Sequence, residues 1–189
     1  MVIIRILLTA FVVAAAVSPA LAADDILDAI DAARTAYQAG DMAGAKQSLD
    51  LASQLVGQKN AERFAALLPA ALPGWKAEKV ETASVGVTVF GVTSASRRYT
   101  GPDGRDIEVR ITGDSTLVVQ FAQFLINPAI AGAMGKLISV GDQRALQTNE
   151  GSINMVVANK FLVTVDGSAD AASKLAYAQA VDTAKLSKM

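Results

Sequence analysis

Asp106-Ile107-Glu108-Val109-Arg110-Ile111-Thr112 alternates apolar side chains with charged or polar ones. Successive side chains of a strand point to opposite faces, so Ile107, Val109 and Ile111 share one face while Glu108 and Arg110 share the other. That is the pattern of a half-buried antiparallel strand. Gly101-Pro102-Asp103-Gly104 precedes it as a strong turn signal. Upstream of the turn, residues 91–100 keep the period of two through Val92, Ser94, Ser96 and Arg98, as do Val85, Val87 and Val89, with a weaker candidate at residues 76–81. Downstream, residues 114–134 change to a helical pattern. Asp114 and Ser115 are placed to cap a helix carrying Leu117, Val118, Phe121, Phe124 and Leu125, which Pro128 interrupts before Met134. Strand-like runs then return at residues 137–140, 144–148, 153–157 and 161–165, parted by Gly141-Asp142, Asn149-Glu150-Gly151 and the short turn Asn159-Lys160. A last helix is expected over residues 169–187, with Ala171, Leu175 and Ala178 on its stripe. Strands then helix, twice, is read as an α+β fold: a twisted antiparallel sheet with helices on one side, built of two β-β-β-α units.

Before the sheet the period is helical. Ile26, Ile30, Ala33 and Tyr37 form one stripe, and Met42, Ala45, Leu49, Ala52 and Val56 form another, with Gly40-Asp41 between them and Gly57 as the expected stop. Two helices joined so tightly fold back as an antiparallel pair. A short linker helix is expected over residues 60–68. Leu72-Pro73-Gly74-Trp75 marks the boundary where alternation begins. The expected organisation is a signal peptide at 1–22, a helical hairpin and linker helix at 23–72, and an α+β domain at 73–189.

The chain has no histidine and no cysteine. That excludes Ser-His-Asp and Cys-His nucleophiles, Cys/His zinc sites and disulfides. Arg5, the apolar run over residues 6–17 and the small residues Ala20 and Ala22 read as an export signal, so a periplasmic protein without a stable membrane anchor after cleavage is expected. Removing Arg5 takes the net charge from −1 to −2, which offers no drive towards nucleic acid or anionic lipid.

The hairpin resembles part of a tetratricopeptide repeat at Gly40, Asp41, Ala45, Leu49 and Ala52, with Ala33 at the small position of the first helix. No second copy follows at about 34 residues, and a lone repeat cannot bury its own face. An ordinary packing hairpin is therefore expected. Residues 67–186 resemble a family of exported bacterial proteins of unassigned activity, through Leu68-Pro69, Leu72-Pro73-Gly74-Trp75, the strand over residues 93–99 and the closing Val181-Asp182 with Leu186. The element order is similar to the Mog1/PsbP-like architecture. Neither resemblance implies a catalytic residue.

Candidate contact residues for a ligand or partner are Trp75, which follows a rigid Pro-Gly corner, and Phe121, Phe124, Leu125, Ile130 and Met134. The last five lie in a segment that carries no charge from Leu117 until Lys136 is reached. Arg98 and Arg110 are expected to share a sheet face with Glu108, and Arg97 to point away. No cofactor or metal site is expected. The leading expectation is a non-enzymatic soluble periplasmic module that binds a protein partner or an apolar ligand. The alternatives are a hydrolase using carboxylates or a serine without histidine, and a structural subunit of an envelope assembly.

Overall fold

The computed structural model describes residues 24–83, 92–113 and 116–189. The expected signal segment, the alternation at Val85, Val87 and Val89, and the caps Asp114 and Ser115 lie outside the described residues. Two helices come first: α1 (Asp25–Gln38) and α2 (Met42–Ala65). Strands β1 (Lys76–Ala77), β2 (Glu81–Ala83), β3 (Thr93–Thr100) and β4 (Asp106–Gly113) follow, then helices α3 (Thr116–Ile126) and α4 (Pro128–Met134). The second half runs β5 (Gly135–Val140), β6 (Gln143–Thr148), β7 (Ile153–Val157), β8 (Phe161–Asp166), α5 (Ala171–Ala180) and α6 (Thr183–Leu186). The class is α+β. Among the described residues each half has four strands: the segment after Trp75 gives two short pieces that both pair with β3, and β5 to β8 follow α4.

All pairings among the described residues are antiparallel, in the spatial order β1-β3-β4-β8-β7-β6-β5 with β2 beside β3. One face carries the main core: Ile107, Val109, Ile111, Ala145, Met155, Val163 and Val165, against Phe64, Tyr177 and Leu186 from the helices. Ala145 lies in that core while its neighbour Leu146 packs with Ala131, Phe121 and Val156. Adjacent strand residues face opposite ways, so α3 and α4 cover the second face. The expectation of helices on one side is thereby corrected: the link from β4 to β5 crosses over the sheet, and its apolar residues cover the β6–β7 part of that face.

Three boundaries also differ. Gly57 does not end the second helix, because it is buried inside α2, which continues as one rod to Ala65. A glycine costs a helix about 1 kcal/mol, and tertiary packing of Ala61 and Phe64 outweighs that. The last helix breaks at Val181, where the Asp182 side chain accepts a hydrogen bond from the Lys185 backbone N–H at 2.9 Å and caps α6. The β7–β8 turn centres one residue early, on Ala158 and Asn159, both with positive φ near 55°, as a type I′ turn requires.

The hairpin is fastened to the sheet at Phe64. Its ring meets Phe161 edge to face, with centroids 5.6 Å apart. A Cβ added at Gly113 would lie 2.5 Å from Phe64 Cζ, so this close approach needs glycine. Phe64→Ala is expected to cost about 3–5 kcal/mol and Gly113→Ala about 1–3 kcal/mol. Urea unfolding of the two variants against the parent checks both values.

Candidate functional site

The two hairpin helices meet through alanines. Ala29 and Ala33 of α1 and Ala45 and Ala52 of α2 are each 4–6 % exposed. Small side chains bring the axes close, so the large aliphatic residues are left outside the seam. Asp24 and Asp41 cap the two helices, accepting from the Ile26 and Gly44 backbone N–H groups. Gly40, at φ +80°, makes the sharp reversal between them.

At 3.6 residues per turn, Ile30 and Tyr37 project on the same flank of α1 as Ala33. Met42, Leu49 and Val56 project on the matching flank of α2. These five side chains are 45, 64, 60, 56 and 43 % exposed, in that order. The stripes legible in the sequence are therefore real, but their large members face solvent and only their alanines are buried. On the opposite flank Ala29, Ala32, Leu51 and Leu55 line a shallow groove of about 460 Å³ with Asp25 and Asp28. The rim of the apolar face is charge-balanced: Arg34 pairs with Asp31 at 3.0 Å, and Lys46 with Asp50 at 2.5 Å.

A second surface is polar. The face of β3, β4 and β8 away from the main core carries a cleft of about 360 Å³ lined by Arg98, Asp106, Glu108, Arg110, Thr164, Asp166 and Gly167. Strand register puts Glu108 between Arg98 and Asp166. Arg98 reaches Glu108 at 3.3 Å and Asp106 at 3.9 Å, and Arg110 also pairs with Glu108. Both guanidinium groups are thus engaged by carboxylates, and the expected shared face for Arg98 and Arg110 is observed. Arg97 points to the main-core side, where its Nε is buried without a hydrogen-bond partner among the described residues.

The Ser168 hydroxyl donates to Asp106, and this bond holds the Asp106 carboxyl below its usual range. The Ser152 hydroxyl donates to Asp166 Oδ1 at 2.6 Å and lowers that carboxyl in turn, with the Lys174 charge adding to the effect. Carboxylates held low are poor proton donors at neutral pH, whereas a general acid needs a raised value. Ser152 spends its proton on a weakened base. Lys174, only 3 % exposed, was not visible as a core-facing residue in the sequence. Its stem lies along the buried stripe of α5, and its ammonium reaches towards Gly151.

Trp75 is half-buried. Its ring stands edge-on to Tyr177 at 5.3 Å and lies against Gly101 of the β3–β4 turn. The segment before it is held by two tyrosines: Tyr99 donates its hydroxyl to the Pro69 carbonyl at 2.7 Å, and Tyr177 accepts from the Leu72 backbone N–H at 3.2 Å. Burial pushes the Tyr99 hydroxyl up to about 12. Gly74, at φ +83°, completes a type II turn with Pro73. Phe121 is half-buried in the second-face cluster, while Met134, at the end of α4, is 37 % exposed. Phe124 and Leu125 belong to α3 and Ile130 to α4. Their side chains lie outside the described set. The structure therefore brings Phe121 to the sheet and Trp75 to the tyrosines, on separate parts of the molecule.

The lowered carboxyls set a pH dependence. A group whose folded value is depressed contributes stability that is present above its unfolded value, near 4, and lost as pH falls through the folded value. Ser152→Ala is expected to raise the pH of acid unfolding and to cost about 1 kcal/mol at pH 7. The difference should shrink towards pH 2, as Asp166 gains its proton in the folded state as well. Urea melts at the two pH values measure it. The chain matches no protein-family model, no curated protein and no solved structure.

Proposed function

We propose that the chain is a non-enzymatic interaction module, exported by its N-terminal leader, that engages a protein partner through the apolar face of its helical hairpin. One observation carries the reading: Ile30, Tyr37, Met42, Leu49 and Val56 stand 43–64 % exposed on a single flank of two packed helices. Large apolar side chains gathered on one exposed face mark a binding surface. An amphipathic helix laid against a partner is the ordinary way of covering such a face.

The features of the face favour protein over other ligands. Small apolar molecules bind in concave sites that enclose most of their surface, and this face is open. Anionic membranes recruit amphipathic helices through a basic rim, and this rim is neutral. The polar cleft supports the hydrolase alternative less well, since Asp106 and Asp166 both remain ionised where a proton donor is needed.

A photo-crosslinking residue in place of Tyr37 tests the reading in cells expressing the whole chain. A discrete protein adduct is expected at Tyr37, and none when the probe replaces Leu51, which is 49 % exposed on the opposite flank of the hairpin. Leu49→Glu should remove the Tyr37 adduct. An absence of adduct at Tyr37, or equal adducts at both positions, rejects the proposal.

A further inference from the structure

We infer that the partner of the hairpin face is a second copy of this chain, the two hairpins closing into a four-helix bundle about a twofold axis; this rests on the interaction reading above. Three features of the face point to itself. The first is charge. The rim carries one acid–base pair on each helix, Asp31 with Arg34 and Lys46 with Asp50. A surface with both signs on both edges is complementary to its own twofold mate, since each edge offers an acid and a base to the facing copy. A strongly basic or strongly acidic partner would meet no net opposing charge on this rim, since each acid there is paired with a base.

The second is shape. An antiparallel pair of helices presents two parallel ridges, and a second pair is the body that fits them, with side chains of facing helices interdigitating as in any helical bundle. The seam within each hairpin is already closed by Ala29, Ala33, Ala45 and Ala52. The larger side chains therefore remain available for the layer between hairpins. Tyr37 and Met42 lie near the reversal, while Ile30, Leu49 and Val56 run back along it. A twofold pairing interdigitates these long side chains with the same set on the facing copy.

The third is area. The 14 residues of α1 make the face about 21 Å long, and two helices side by side make it about 20 Å wide. Each copy thus offers roughly 400 Å² in projection, and two copies together reach about 1,000 Å² once the relief of the side chains is included, the lower bound for a specific interface. The expected dimer is reversible, with a dissociation constant in the micromolar range.

The absence of native cysteine makes the test clean, because a single introduced cysteine can pair only with its own copy. Sedimentation velocity of the chain, isolated from cells expressing it whole, should show a shift from monomer to dimer as concentration rises through the micromolar range. Leu49→Glu should weaken that association at least ~10-fold, as loss of a central contact does, with an unchanged circular-dichroism melt showing that the fold persists. Under mild oxidation Leu49→Cys should give a disulfide-linked dimer, and Leu51→Cys, on the opposite flank, should not. A chain that stays monomeric while Tyr37 crosslinks to a different protein overturns the second copy and leaves the interaction reading standing. A monomer with no Tyr37 adduct ends both. A dimer indifferent to Leu49→Glu, or linked equally through Leu51→Cys, places self-association elsewhere and overturns the inference.

Discussion

The edge-to-face contact of Phe64 with Phe161, closed over Gly113, is the joint on which the architecture depends. It joins the far end of α2 to β4 and β8, the strands at the middle of the sheet. Because α2 is a single rod of 24 residues, its first half builds the hairpin and its second half builds the main core. The hairpin is thus rigidly tied to the sheet and not held by a linker. An apolar face carried on such an arm is presented in a defined direction, which lowers the ordering cost of an encounter.

The same joint accounts for the division of labour along α2. Where the helix meets the sheet, a large aromatic and Ala61 fill the space. Where it meets α1, alanines do. Close approach of two helices requires small side chains at the seam, and the aliphatic residues of the amphipathic stripe are then displaced outward. A stripe usually read as core becomes, where each helix of the hairpin packs along one side on the other, half seam and half surface.

The segment that fixes the sheet's lower edge follows a different logic. Leu68-Pro69 and Leu72-Pro73-Gly74-Trp75 carry few hydrogen-bonding options of their own. They are held by the hydroxyls of Tyr99 and Tyr177, whose rings lie 4.4 Å apart. One tyrosine comes from β3 and the other from α5, so this stretch reports on both halves of the sheet at once. Trp75 completes the stack. Its part-buried ring is held by Tyr177 and by the glycine of the turn ahead of β4.

Local chemistry in the sequence determined the antiparallel strands, the two-helix entry and the turn at Pro73-Gly74, because alternation, helical period and φ preference act over a few residues. The stripes of α1 and α2 were legible for the same reason. The outcome at Gly57 and Asp182 was not, since continuing or breaking a helix there depends on packing contributed from other parts of the chain. Nor could alternation say which sheet face would receive α3 and α4: a chain leaving β4 can cross on either side. The cleft that gathers Arg98, Glu108, Arg110 and Asp166 exists only through the β3-β4-β8 order, which pairs residues some 60 positions apart in the chain. The exposure of Tyr37 and Leu49 is likewise tertiary. Periodicity states which side chains share a face, and only the count of neighbouring elements decides whether anything covers it.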